Sequence, residues 1–122
     1  MRPELVHDDI PDLAPEIYRQ RLVVEGLCTR PIDDATIRDY LTRLSTVCGM
    51  RTLIEPVTHR SERYGWAGWI HWETSGAHLY AWEVPRLFFS VDIYTCAPFS
   101  TSDVLEFTQS YFGATRVVAR EY

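Results

Sequence analysis

Between Met50 and Tyr94 four extended segments follow one another with only short connections, and this succession constrains the fold more than any other feature. Met50–Val57 alternates loosely and contains β-branched residues, whereas His59–Tyr64 is polar and reads as a loop. Gly65–Trp82 is dense in aromatic and small residues and reads as two strands broken near Ser75-Gly76. After a turn at Val84-Pro85-Arg86, Leu87–Tyr94 is apolar on both faces, which predicts a central strand. Strands joined by turns pair antiparallel. Ahead of this block, Leu22–Leu27 reads as a first strand. Asp33-Asp34 offers an N-cap to a helix with Ile37, Tyr40, Leu41, Leu44, Val47 and Cys48 at helical spacing, and Gly49 stands at C′. Behind the block, Thr101-Ser102-Asp103 can cap a second helix carrying Val104, Leu105, Thr108, Tyr111 and Phe112. Gly113 ends that helix, and Ala114–Arg120 reads as a last strand. Helices segregated from a run of strands predict an α+β two-layer sandwich, a mainly antiparallel sheet with two helices packed on one face.

A chain of 122 residues supports one core rather than two. Residues 1–20 carry Pro3, Pro11 and Pro15 among acidic residues and read as an irregular arm, which leaves residues 21–122 as a single domain. The outer face of the predicted sheet would carry several of Trp66, Trp69, Trp72, Trp82, Phe88 and Tyr94. A face that aromatic calls for cover, which points to a homodimer; equally, these rings would serve as the core beneath the helices.

Several classes of function are excluded or disfavoured. A formal charge of −5 argues against a nucleic-acid partner, because phosphate contacts need clustered cations. There is no lysine, so no lysine Schiff base and no P-loop lysine. Cys28, Cys48 and Cys96 form no C-x-x-C pair, and His7, His59, His71 and His78 are scattered, so no metal site is assigned. No apolar run reaches a membrane span, and the first residues lack the basic-then-apolar layout of a signal peptide. The expected setting is cytoplasmic, with reduced thiols and no membrane partner.

The segment Gly65–Cys96 is more specific. Gly65-Trp66-Ala67-Gly68, then Thr74-Ser75, then Trp82, then Val91-Asp92-Ile93-Tyr94-Thr95-Cys96 resembles the bacterial, pyruvoyl-dependent type of the S-adenosylmethionine decarboxylase family. That family typically reads G-V-S-G, E-S-H-I-S-I-H-T-W-P-E and V-D-I-F-T-C. With Ser75 on the family's processing serine, Trp82 falls on its tryptophan without a gap. Cys96 falls on its cysteine after a one-residue insertion around Val84–Leu87. The weaker likeness runs outward from Leu22 to Arg120 and takes in Glu25 and Cys28.

What the resemblance implies is self-cleavage between Thr74 and Ser75, leaving a pyruvoyl group derived from Ser75 as a built-in cofactor. Its ketone would take up the amine of S-adenosylmethionine and act as an electron sink during decarboxylation, the chemistry of polyamine synthesis. Cys96 would return a proton to the α-carbon. Glu25 and Trp82 would lie toward the substrate, and a homodimer is the expected assembly. Four positions depart from the pattern: Ala67 stands for a serine that assists processing, Tyr80 for the histidine that helps the ester eliminate, and Thr74 and Gly76 for Glu and His beside the cleavage serine. Losing one general base costs about two to four orders of magnitude in rate. His78 shares a strand face with Tyr80 and offers an imidazole one pleat away, or is a histidine bonded to a backbone carbonyl. Tyr80 offers a phenolic proton, or packs. Asp92 is read as structural, needing an Arg partner if buried.

The reading is therefore a pyruvoyl-dependent decarboxylase of S-adenosylmethionine, with catalytic Ser75, Cys96, His78 and Tyr80 and substrate-side Glu25 and Trp82. Alternatives are a decarboxylase of another amino acid such as arginine or ornithine, or a non-cleaving relative that binds a ligand or regulates a partner.

Overall fold

In the computed structural model the described residues are 2–6 and 9–122; His7 therefore lies outside them. Before Gln20 the described residues form neither helix nor strand, and Arg19 pairs with Asp12. The elements follow in the order β1 (Gln20–Leu27), α1 (Asp34–Cys48), β2 (Thr52–Ser61), β3 (Gly65–Trp72), β4 (Ser75–Trp82), β5 (Phe88–Thr95), α2 (Thr101–Phe112) and β6 (Arg116–Glu121). The strands form one antiparallel six-stranded sheet, ordered β2-β3-β4-β5-β1-β6. The four segments after α1 run as a meander from the β2 edge inward, and β1 closes against β5. The predicted α+β sandwich is the observed fold.

Each helix begins and ends on the residue chemistry that favours it. The Asp33 carboxylate accepts from the Thr36 amide at 2.9 Å, and Gly49 turns left-handed at φ 68°, ending α1. α2 is capped by Ser100, one residue earlier than expected, because its hydroxyl accepts from the Asp103 amide. α1 lies over β2 and β3, and α2 lies over β1 and β6. Between helices and sheet, Ile37, Leu41 and Leu44 meet Ile70, Leu79 and Val91, all fully buried. Tyr40 is buried as well, its hydroxyl bonded to Thr108 Oγ1 at 2.8 Å, so the phenol's polar end is satisfied.

Three expectations require correction. The loop over His59–Tyr64 is shorter than read: Thr58 to Ser61 pair with Gly68 to Gly65 and extend β2. As an edge strand, β2 tolerates the polar side chains that suggested a loop. The break between β3 and β4 falls at Glu73-Thr74, so Ser75 opens β4 rather than sitting in the turn. Finally, the tryptophans divide. Trp66 and Trp72 face the helices, whereas Trp69 and Trp82 share the outer face with Phe88 and Tyr94. Gly68 sets this parity, since a Cβ there would stand 2.3 Å from Ile37 Cγ2. Residues 66, 68, 70 and 72 thus turn to α1 together.

Candidate functional site

The Glu73-Thr74 turn is the structural centre of the site. Trp72 and Ser75 pair across it, making it a two-residue hairpin connection. The Thr74 carbonyl accepts the Cys96 amide at 3.0 Å and the Cys96 thiol at 3.3 Å. Cys96 reaches it because β5 runs beside β4, Ser75 opposite Thr95. Ser75 itself has φ 137°, the one non-glycine residue with positive φ among those described. Such a backbone costs an L-residue about 1–3 kcal/mol. Gly76 follows where a Cβ would lie 2.4 Å from the Ile70 carbonyl oxygen, so the position admits no side chain without a shift of backbone.

Ser75 and Gly76 open onto a cleft of about 460 Å³ on the outer face of the sheet. His71 and Tyr94 flank Gly76 in register, and Trp69 and His78 continue the wall. At the far side Arg21 donates two hydrogen bonds to the Asp92 carboxylate, at 3.1 and 2.8 Å. Asp92 thus has an Arg partner, although its side chain is only partly buried. A larger hollow of about 610 Å³ lies between α1 and α2, lined by Arg43, Phe107 and Tyr111 among others, and contains none of the sequence-predicted site residues.

The candidate residues separate into two groups. Ser75, Cys96 and His78 gather at the cleft end: the first two meet at the Thr74 carbonyl, and His78 lines the same cleft as Ser75. Tyr80, Trp82 and Glu25 stand at the other end of the outer face. Tyr80 is five residues along β4 from Ser75, about 16 Å at strand rise. It lies opposite Ala67 on one side and Ser90 on the other, and Ser90 in turn faces Glu25. The two departures at Ala67 and Tyr80 are therefore neighbours. A continuous stack joins the groups, with ring separations of 6.2 Å from Trp69 to His78, 6.0 Å on to Tyr80 and 6.3 Å on to Trp82. Sequence reading missed His71, Tyr94 and Arg21 at the cleft. Face parity with His78 would have found His71 and Tyr94 once the strand register was known.

Burial separates the three thiols. Cys48 is buried and its thiol is pushed up to about 12, and burial raises that of half-buried Cys28, while Cys96 is exposed. Thiolate is the nucleophile. Brief treatment of native protein with iodoacetamide at pH 8 is therefore expected to label Cys96 first and Cys48 only after denaturation, as read by peptide mass. Equal labelling of Cys48 and Cys96 in the native protein would contradict this placement.

Residues 26–122 match the family model described as S-adenosylmethionine decarboxylase. The chain belongs to the S-adenosylmethionine decarboxylase family. The matched span contains Ser75, His78, Tyr80, Trp82 and Cys96, and begins just after Glu25. The fold is also similar to a crystal structure of the adenosylmethionine decarboxylase from Aquifex aeolicus VF5. That likeness has a TM-score of 0.70 at 14% sequence identity and covers 87% of this chain and 89% of the other. No curated protein matches the chain. Among the described residues no helix is long and apolar enough to cross a membrane, and no group of three or more His, Cys, Asp and Glu side chains is placed to hold a metal ion.

Proposed function

We propose that this family member cleaves itself between Thr74 and Ser75 and acts as a pyruvoyl-dependent decarboxylase, with S-adenosylmethionine as the substrate. The observation that carries the reading is the doubly held Thr74 carbonyl next to a serine at φ 137°. Attack of Ser75 Oγ on the Thr74 carbonyl carbon forms a C–O bond and puts negative charge on the carbonyl oxygen. The Cys96 amide and thiol already point there, which is the placement an oxyanion needs. The C–N bond then breaks, the hydroxyl proton passes to nitrogen, and an ester remains. Removal of the Ser75 Cα proton expels Thr74 as a carboxylate; His78, on the wall of the same cleft but about 10 Å of strand from Ser75, is the imidazole proposed to take that proton through water. The dehydroalanine left at residue 75 tautomerises, and water releases ammonia from it to leave the pyruvoyl end.

When formed, the pyruvoyl ketone binds the substrate amine and withdraws electrons as CO₂ departs. The surrounding residues support that use. Cys96, exposed and bonded to the carbonyl of the residue before Ser75, is the acid proposed to return a proton to the substrate α-carbon. Trp69, Tyr94 and the imidazoles give the cleft walls for the rest of the substrate.

Tyr80, Trp82 and Glu25 enter this scheme only through a second copy, because about 16 Å of strand separates Tyr80 from Ser75 in one chain. The outer face leaves Tyr80 42% and Tyr94 45% exposed. A two-fold contact of two such faces would bring one group to the other, and a homodimer is accordingly part of the proposal. One observation favours a second reading, a non-cleaving ligand-binding relative: Ala67 and Tyr80, which replace both processing helpers, face each other.

The test is the intact mass of freshly purified, denatured protein. Fragments 1–74 and 75–122, the second bearing a terminal pyruvoyl, are the expected result. A single full-length chain after days of incubation overturns the cleavage reading and favours the second.

A further inference from the structure

The residue before the proposed cut is held from two sides, and only one of them is Cys96, just past the end of β5. The other is the end of α1. Gly49 in its left-handed conformation ends the helix and sends the Met50 amide back to the Ser45 carbonyl at 2.8 Å, which fixes the Met50 backbone. The Met50 thioether then accepts the Thr74 hydroxyl at 3.0 Å. Its neighbours repeat the attachment: the Arg51 carbonyl accepts the Glu73 amide at 2.9 Å, and Ser45 Oγ accepts the Trp72 indole N–H at 2.7 Å. Three successive residues leading to Ser75 are therefore fastened to one helix end.

We propose that Met50 is a positioning residue for the reaction at Ser75. Its sulfur holds Thr74 Oγ1 on one side while Cys96 holds the Thr74 carbonyl on the other, so the peptide to be attacked cannot rotate away from its two donors. The inference rests on the self-cleavage reading for its purpose. The latch itself is a feature of geometry that can be measured without cleavage. A thioether is a weak acceptor, and its effect on rate is correspondingly modest.

Two readouts keep the latch and the cleavage apart. In a Ser75→Ala background, where the chain stays whole, the alkylation rate of Cys96 reports how firmly its thiol is held on Thr74. Met50→Leu conserves volume and removes the sulfur; Thr74→Val removes the hydroxyl. Each is expected to speed Cys96 alkylation by roughly 3- to 10-fold, the size of one net hydrogen bond. The double variant should add nothing to either single change, because both break the same contact. With Ser75 present, the same changes should slow appearance of fragment 75–122 by a similar factor, with melting temperatures close to the parent. Unchanged alkylation in both single variants overturns the latch. Faster alkylation with an unchanged cleavage rate, or with a parent chain that never cuts, overturns its positioning role while leaving the contact itself demonstrated. If Met50→Leu fails to fold, Thr74→Val alone decides the matter on the same two readouts.

Discussion

Ser75→Ala is expected to leave the chain at full length indefinitely, with no fragment 1–74 even after days at neutral pH. Alanine has no Oγ, so no ester can form, and the peptide bond is as inert as any other. Intact mass measured over time checks this directly; a cut at residue 74 in the alanine variant would mean a protease, not Ser75, does the cutting. The backbone at this site gives the experiment a second arm. Alanine inherits the positive φ of 137° and its strain, whereas glycine populates such conformations freely. Ser75→Gly should likewise remain uncut but be more stable than Ser75→Ala, by about 1 kcal/mol in urea unfolding after glycine's own entropic cost is offset. Equal or lower stability of the glycine variant would show that the serine backbone is not strained. The comparison bears on the proposed cleavage, because strain carried by residue 75 in the uncut chain would be released on breaking its amide bond.

Trp72→Ala should cause the largest loss of stability of any substitution considered, about 3–5 kcal/mol. The indole is fully buried between α1 and the sheet, and its N–H is satisfied by Ser45 Oγ. Removing it opens a cavity and strips Ser45 of a donor; its own hydroxyl still donates to the Leu41 carbonyl at 2.9 Å. A domain of this size has about 5–15 kcal/mol to lose, so a large share of folding free energy rests on one side chain. Urea denaturation of Ser75→Ala and Ser75→Ala/Trp72→Ala, both uncut, measures the difference in a single covalent species. A loss below about 1 kcal/mol would mean that the core closes over the gap, contrary to the close packing described.

Much of the architecture follows from local chemistry. α1 is legible because Ile37, Tyr40, Leu41, Leu44 and Cys48 recur at helical spacing between a capping Asp33 and Gly49, and all five are buried. The strand Leu87–Tyr94 is legible because its apolar residues occupy both faces, and it lies in the sheet interior between β4 and β1. The end of β2 is not legible. His59 and Arg60 are polar, yet backbone pairing to Ala67 and Trp66 holds them in a strand whatever their side chains prefer. The start of α2 is legible only to within one residue, because Ser100, Thr101 and Ser102 are chemically similar caps and only the backbone at residue 100 selects among them.

For the site, the chain order makes legible which candidate residues lie near one another along the sequence, because a motif is a statement about near neighbours along the chain. The family's string around Ser75, Trp82 and Cys96 was readable at that level, as was the shared face of His78 and Tyr80. Long-range packing sets what meets what. It placed Cys96 on the Thr74 carbonyl, sent Tyr80, Trp82 and Glu25 to the opposite end of the sheet, turned Trp66 and Trp72 inward, and brought Met50 from the end of α1 to the turn. The physical reason is that alternation along a strand fixes only relative orientation. Which parity faces the helices is set by long-range packing, here Ile37 against Gly68, and which strand lies beside which is set by register across the sheet.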